Sequence, residues 1–140
     1  MCIIDEENTV GFRQFRTFLD FLHWVFSEDA PLNAVVCIEN SNRDQVMYAY
    51  HRGKHGQQMA TAARNVGANQ AISQCTADVC RWKWPKTMDI SPKEKGKKWG
   101  AKEAAQVARE YGHDIGSTNQ DERDAYKLAL LAKRRIYLRQ

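Results

Sequence analysis

Cysteine is scarce in this chain and badly spaced for metal. The four thiols stand at Cys2, Cys37, Cys75 and Cys80, and no two of them have zinc-knuckle spacing. Cys37 falls inside an apolar run. All four read as reduced, structural thiols of a cytoplasmic protein. His51 and His55 are four apart, but their Gly- and Gln-rich surroundings offer no third ligand, which argues against zinc there. No apolar run is long enough to cross a bilayer, and no stretch reads as a signal peptide. The expectation is a protein of the cytoplasm with no membrane partner. Internal repeats and low-complexity tracts are also missing, which excludes a solenoid.

What remains is ordinary globular material. The chain has 140 residues, 43% apolar and 27% charged, which suits one domain (1–140) around one core. The net charge of +4 is mild but unevenly spread. Between Arg81 and Lys102, eight Lys or Arg (81, 83, 86, 93, 95, 97, 98 and 102) stand against two acids, Asp89 and Glu94, a local excess of six. Such a block suggests a polyanionic partner, although a solvated loop is the plainer account of a charge run.

Residues 2–5 and 10–15 read as two short strands around a turn. Thr17 can cap a helix to about Phe26, with Phe18, Phe21, Leu22 and Val25 on one face. The continuous apolar run from Ala34 to Ile38 has the mark of a strand buried on both sides. A helix is expected from about Gln58 to Arg81, and Gly67 and Ala68 within it would allow close helix packing. A second, parallel strand is expected near residues 86–90, followed by a basic segment, a helix over 101–111 and a last helix over 120–137. Strands alternating with helices after an opening hairpin indicate a mixed α/β sheet with helices on both faces.

Two acidic features stand out. Asp121 and Asp124 are three apart at the start of the last helix, so they share a face, which continues through Leu128 and Leu131. Acids at the packing end of a helix are costly without a cation beside them, and a divalent metal is one such cation. Complementing the helix dipole is the blander account. Glu39 ends the apolar strand, where ligand sites of open α/β sheets gather. Clustered carboxylates can hold two Mg2+ ions about 4 Å apart for phosphodiester hydrolysis, and neighbouring cations can hold the phosphate backbone.

The chain resembles the RuvC-type Holliday-junction resolvases, shorter phage forms especially, within the ribonuclease-H-like superfamily. The resemblance is carried by Val35 to Asn40, Val66 to Ala71, Ile90 to Lys93, Lys98 to Lys102 and Asp121 to Ala125. It implies a ribonuclease-H-like sheet. It implies that Glu39, Asp121 and Asp124 are catalytic and bind metal, Mg2+ or Mn2+. It also implies that Lys93 and Lys102, with Lys95, Lys97 and Lys98, contact DNA. A helix turns Glu122 away from the Asp121–Asp124 face. The implied partners are branched DNA and a second copy of the chain, in a bacterial or phage-infected cell.

The resemblance departs at the front, where the family opens on a strand with an Ile-Asp-Pro-Gly-like run. In one register Ile3-Ile4-Asp5 is that strand, but Glu6 and Glu7 replace its turn-forming pair and no residues remain for a hairpin. In the favoured register residues 1–5 and 10–15 are the family's second and third strands. The central first strand and its aspartate are then lacking, which would leave unpaired backbone and a gap in the core. Weak or no cleavage by this chain alone is the expectation.

Two alternatives come from other classes. Arg81-Trp82-Lys83-Trp84 could stack on unpaired bases in a non-catalytic binding module, although at least one Trp is expected to pack under the last helix. A nuclease of RNA–DNA hybrids is the other, since fold does not settle substrate. The family's junction-core residue is replaced by Asn40, Ser41 and Asn42, for which Tyr48 or Tyr50 could stand in.

Overall fold

A computed structural model describes residues 1–40 and 56–137, with side chains at 1–40 and 67–136. Tyr48, Tyr50, His51, His55, Ser41 and Asn42 lie outside these residues. The molecule is mixed α/β. Strands β1 (Cys2–Ile4) and β2 (Val10–Phe12) form an antiparallel hairpin. Helix α1 (Phe18–Val25) follows, then strand β3 (Val36–Glu39) and the long α2 (Gly56–Lys83). Strand β4 (Thr87–Ile90) pairs in parallel with β3, placing Glu39 opposite Ile90. A single turn α3 (Pro92–Lys95), α4 (Ala101–Glu110) and α5 (Gln120–Tyr137) complete the fold.

Local chemistry explains the boundaries. Thr17 and Asp20 close a reciprocal capping box at the start of α1. Asn8, at φ 67°, turns the hairpin, a conformation Asn tolerates better than most residues. At α5, Asn119 Oδ1 accepts from the Glu122 N–H at 2.9 Å, and Glu122 Oε2 accepts from the Asn119 N–H at 2.8 Å. Glu122, which helix geometry turns from the acid face, is therefore a capping residue.

Two apolar clusters flank the strands. On one side Phe21, Trp24 and Val25 of α1 meet Cys80 and Trp84, with Ile3, Val36 and Ile38 packed against them. On the other, Ala104 and Ala108 of α4 meet Tyr126 and Leu130 of α5, with Cys2 and Ile4 alongside. Successive strand residues point to opposite faces, so Ile3, Val36 and Ile38 share the α1–α2 side. Trp84 is buried against Trp24, its ring N–H donating to the Pro31 carbonyl at 2.7 Å. It packs under α1 and not, as the sequence suggested, under the last helix. Trp82 is 69% exposed beside Phe26.

The strands form two separate pairs, β1–β2 and β3–β4. Helix α5 lies against both β1 and β3. The Met1 ammonium feels the charges of Asp121 and Glu122 at the start of α5, while Asn8, past the end of β1, accepts from Lys133 Nζ at 2.6 Å. So β1 runs along α5. The end of β3 meets the start of α5 through Glu39, so β3 runs the opposite way to β1. Between β1 and β3 lies a cleft of about 1260 Å³, roofed by α5 and floored by α1 and α2.

Candidate functional site

The acid-bearing end of the cleft is built by three short-range devices. The parallel register puts Glu39 beside Ile90, the last residue of β4. Ser91 then caps α3: its hydroxyl accepts from the Glu94 N–H at 3.2 Å, and its own N–H donates to Glu94 Oε2 at 2.8 Å. Pro92 opens the turn with its φ already suited to a helix. Arg135 of α5 pairs with Glu94 at 3.2 Å. One turn later Lys95 folds back over the strand end, and Gly96, at φ 72°, lets the chain leave.

Lys95 is the centre of the site. Its Nζ donates to Glu39 Oε2 at 2.5 Å and to Asp124 Oδ2 at 3.0 Å. The Lys95 side chain is 8% exposed, Asp124 17% and Glu39 31%. Burial presses the Lys95 ammonium toward its neutral form, but the bonds to both carboxylates outweigh it and raise the pKa. Burial likewise opposes ionisation of Asp124. The hydrogen bonds from Lys95 and from Gln120, whose amide donates to Oδ1 at 2.7 Å, reverse this and hold the carboxyl below its ordinary value.

Asp121 is exposed and lines the same cleft as Glu39 and Asp124. Asp5 belongs to the far end of β1, where its carboxylate accepts from the Thr9 N–H at 2.7 Å. The structure does not bring it to the acids. Of the five lysines expected to meet DNA, Lys93, Lys97 and Lys98 are exposed on the segment beside the site. The charge of Lys98 also favours ionised Asp124. Lys95 departs from that expectation: its ammonium is taken up by the two carboxylates and does not face solvent. Lys102 is exposed but lines a separate hollow of about 580 Å³ with Arg109 and Thr118.

The chain matches no protein-family model, no curated protein and no solved structure.

The basic segment is anchored to the helix that carries the acids. Lys127 Nζ donates to the Lys97 carbonyl at 2.7 Å and sits 4.9 Å from the centre of the Trp99 ring. Arg123 donates to the carbonyls of Trp99 and Thr118. Just past Glu39, the Asn40 amide donates to Asp89 at 3.0 Å, and Arg81 of α2 pairs with the same carboxylate. These ties fix both approaches to the acid pair. Carboxylate oxygens are hard donors, suited to Mg2+ or Mn2+ more than to zinc. Among the described residues no group of three or more His, Cys, Asp or Glu is assembled to hold a metal ion. Two carboxylates are a ligand number that Mg2+ commonly takes, with water and phosphate completing its shell.

Sequence reasoning missed the role of Lys95. The signal was present: Ser-Pro-Lys-Glu at 91–94 is a capping box with Pro in the first turn, which places Lys95 at the end of a one-turn helix. A second unforeseen set is buried at the hairpin. His113 Nδ1 lies 2.7 Å from the Tyr126 hydroxyl, and its Nε2 lies 2.8 Å from Asn8 Oδ1. Since the amide oxygen can only accept, Nε2 carries the proton and Tyr126 donates to Nδ1.

Proposed function

We propose that this chain is a metal-dependent endonuclease of branched DNA, with four-way junctions as substrate. Glu39 and Asp124, with Asp121 beside them, are the residues assigned to Mg2+ or Mn2+. One observation carries the reading: carboxylates from the end of β3 and the first turn of α5 converge on a single cation position, Lys95 Nζ, beside a lysine-rich segment. When bound, the metal supplies an activated water and charge for the leaving oxygen. Glu39 and Asp124 fix where that happens. Lys95 gives up its place between them, and Lys93, Lys97 and Lys98 draw in the phosphate backbone. The sheet is assigned to the ribonuclease-H-like class. A junction nicked symmetrically calls for two copies, and the exposed Gly67 and Ala68 on α2 are the residues we assign to that contact.

The test is cleavage of a labelled four-way junction with protein in excess. Mg2+-dependent nicks should fall roughly a hundredfold in Glu39→Gln and Asp124→Asn, the scale of losing one contact to developing charge, while junction binding persists. Cutting that survives both changes contradicts the assignment. Preference for an RNA–DNA hybrid would keep the chemistry and change the substrate. The exposed Trp82 next to Arg81 favours a second reading, a non-catalytic module that stacks on bases. Metal-independent binding that falls with Trp82→Ala, with no cutting under any condition, would select it.

A further inference from the structure

Asp124 meets its two neighbours with different oxygens. Oδ2 accepts from the Lys95 ammonium at 3.0 Å, on the cation side of the acid pair. Oδ1 accepts from the Gln120 amide at 2.7 Å, one turn back on α5. A side-chain amide can present either its oxygen or its NH2 group to a neighbour, and its other partners decide which. Here Arg123 decides. Its Nη2 donates to Gln120 Oε1 at 3.1 Å, which leaves the NH2 end for Asp124.

Arg123 is itself held from two further directions. Its Nε donates to the Trp99 carbonyl at 3.3 Å, and its Nη1 donates to the Thr118 carbonyl. The donors of a guanidinium lie in one plane in a rigid fork, so three acceptors at once fix its orientation. One side chain thus joins the segment ahead of α4, the segment ahead of α5 and the amide that grips Asp124. Asp124 lines the cleft, whereas Gln120 and Arg123 do not. Both therefore act from behind the carboxylate and are not placed to hold a cation themselves.

The arrangement bears on which cation the acids accept. A carboxylate with one oxygen engaged offers only the other. Mg2+ demands a near-ideal octahedron, is held through a few carboxylates and keeps several waters. Ca2+ takes more oxygens in a looser shell and readily uses both oxygens of one carboxylate. We infer that Gln120 and Arg123 are positioning residues that set the cation preference of the acid pair. By engaging Oδ1 they leave Asp124 a single oxygen to offer, which favours Mg2+ over Ca2+. The inference rests on the metal-site reading of Glu39 and Asp124, but not on the substrate. A Gln–Asp pair one turn apart also steadies a helix, and the measurement must separate that role from this one.

The test titrates the full chain with Mg2+ and, separately, with Ca2+, without DNA. Binding is read from the nuclear magnetic resonance shifts of the Glu39 and Asp124 amides. Gln120→Met keeps the length of the side chain and removes its amide. Mg2+ affinity should fall roughly tenfold, the scale of losing a hydrogen bond behind a metal ligand. Ca2+ affinity should hold or rise, so the ratio of the two moves roughly tenfold toward Ca2+. Gln120→Ala, which suits a helix well, should move the ratio in the same direction. Arg123→Met frees the amide to turn over and should move it that way by less. General loosening of the helix or its loop lowers both affinities together and leaves the ratio alone. An unmoved ratio in both Gln120 variants overturns the inference while the metal-site reading stands. So does a wild type that prefers Ca2+. If neither ion shifts these amides in wild type, the metal-site reading fails and takes the inference with it.

Discussion

Lys95 decides how the acid pair is tolerated. A buried ammonium between two carboxylates leaves an uncompensated charge if it is removed. Breaking a fully buried pair costs roughly 3–5 kcal/mol. Glu39 keeps 31% of its side chain in solvent, so Lys95→Met should cost about 2 kcal/mol at pH 7. Millimolar Mg2+ should restore part of that loss by occupying the same oxygens, whereas wild type should respond less. Thermal melts with and without Mg2+ check this, and a metal-indifferent variant counts against a cation site. The pH limbs carry opposite signs. Asp124 has a lowered folded pKa, so its contribution is present above its unfolded value and is lost as acid takes the pH down through the folded one. Lys95 has a raised folded pKa, so its contribution holds below its unfolded value and is lost as the pH climbs through the folded one. His113 adds a separate, milder acid limb. Burial, and then the charge of Lys133, lower its pKa. Stability should therefore decline as pH falls below the ordinary value of 6.5. Melts between pH 7.5 and 5 should show a shallower slope in His113→Leu than in wild type.

At the scale of elements, capping and period were readable and tertiary partners were not. The cap at Thr17 and the run ending at Glu39 announced α1 and β3 because both signals are local. The parallel strand and the last helix fell where the pattern placed them. The short α3 escaped because a four-residue helix inside a basic segment has no apolar period to display. That turn nevertheless orients Lys95. Ser91→Ala should cost about 1 kcal/mol for the lost cap and loosen the Lys95 contacts. Nuclear magnetic resonance should show the effect at Glu39 and Asp124 but leave the Thr17 cap unchanged. The destination of Trp84 was not readable, since its burial depends on Trp24 and the Pro31 carbonyl, remote in sequence.

At the scale of the molecule, the sequence singled out Glu39, Asp121 and Asp124, and the fold sets all three on one cleft, with Glu39 and Asp124 sharing Lys95. The sequence could not show how the chain balances them. Charge density alone made all of the lysines from 93 to 102 look alike, yet the fold turns Lys95 inward, leaves Lys93, Lys97 and Lys98 outside, and sends Lys102 to another hollow. Among the described residues no helix is long and apolar enough to cross a membrane. The exposed Lys93, Lys97 and Lys98 beside the acid pair should make junction binding weaken with salt. Titrations at two ionic strengths check this, and salt-insensitive affinity would remove the basic segment from the interface.

The most direct measurement is a Mn2+ titration followed by nuclear magnetic resonance, because a paramagnetic ion broadens the residues that hold it. Selective broadening of Glu39, Asp121 and Asp124, lost in Asp124→Asn, is the predicted result. Broadening confined to other acids, or none at the strand end and helix start where these carboxylates meet, would contradict the metal-site account.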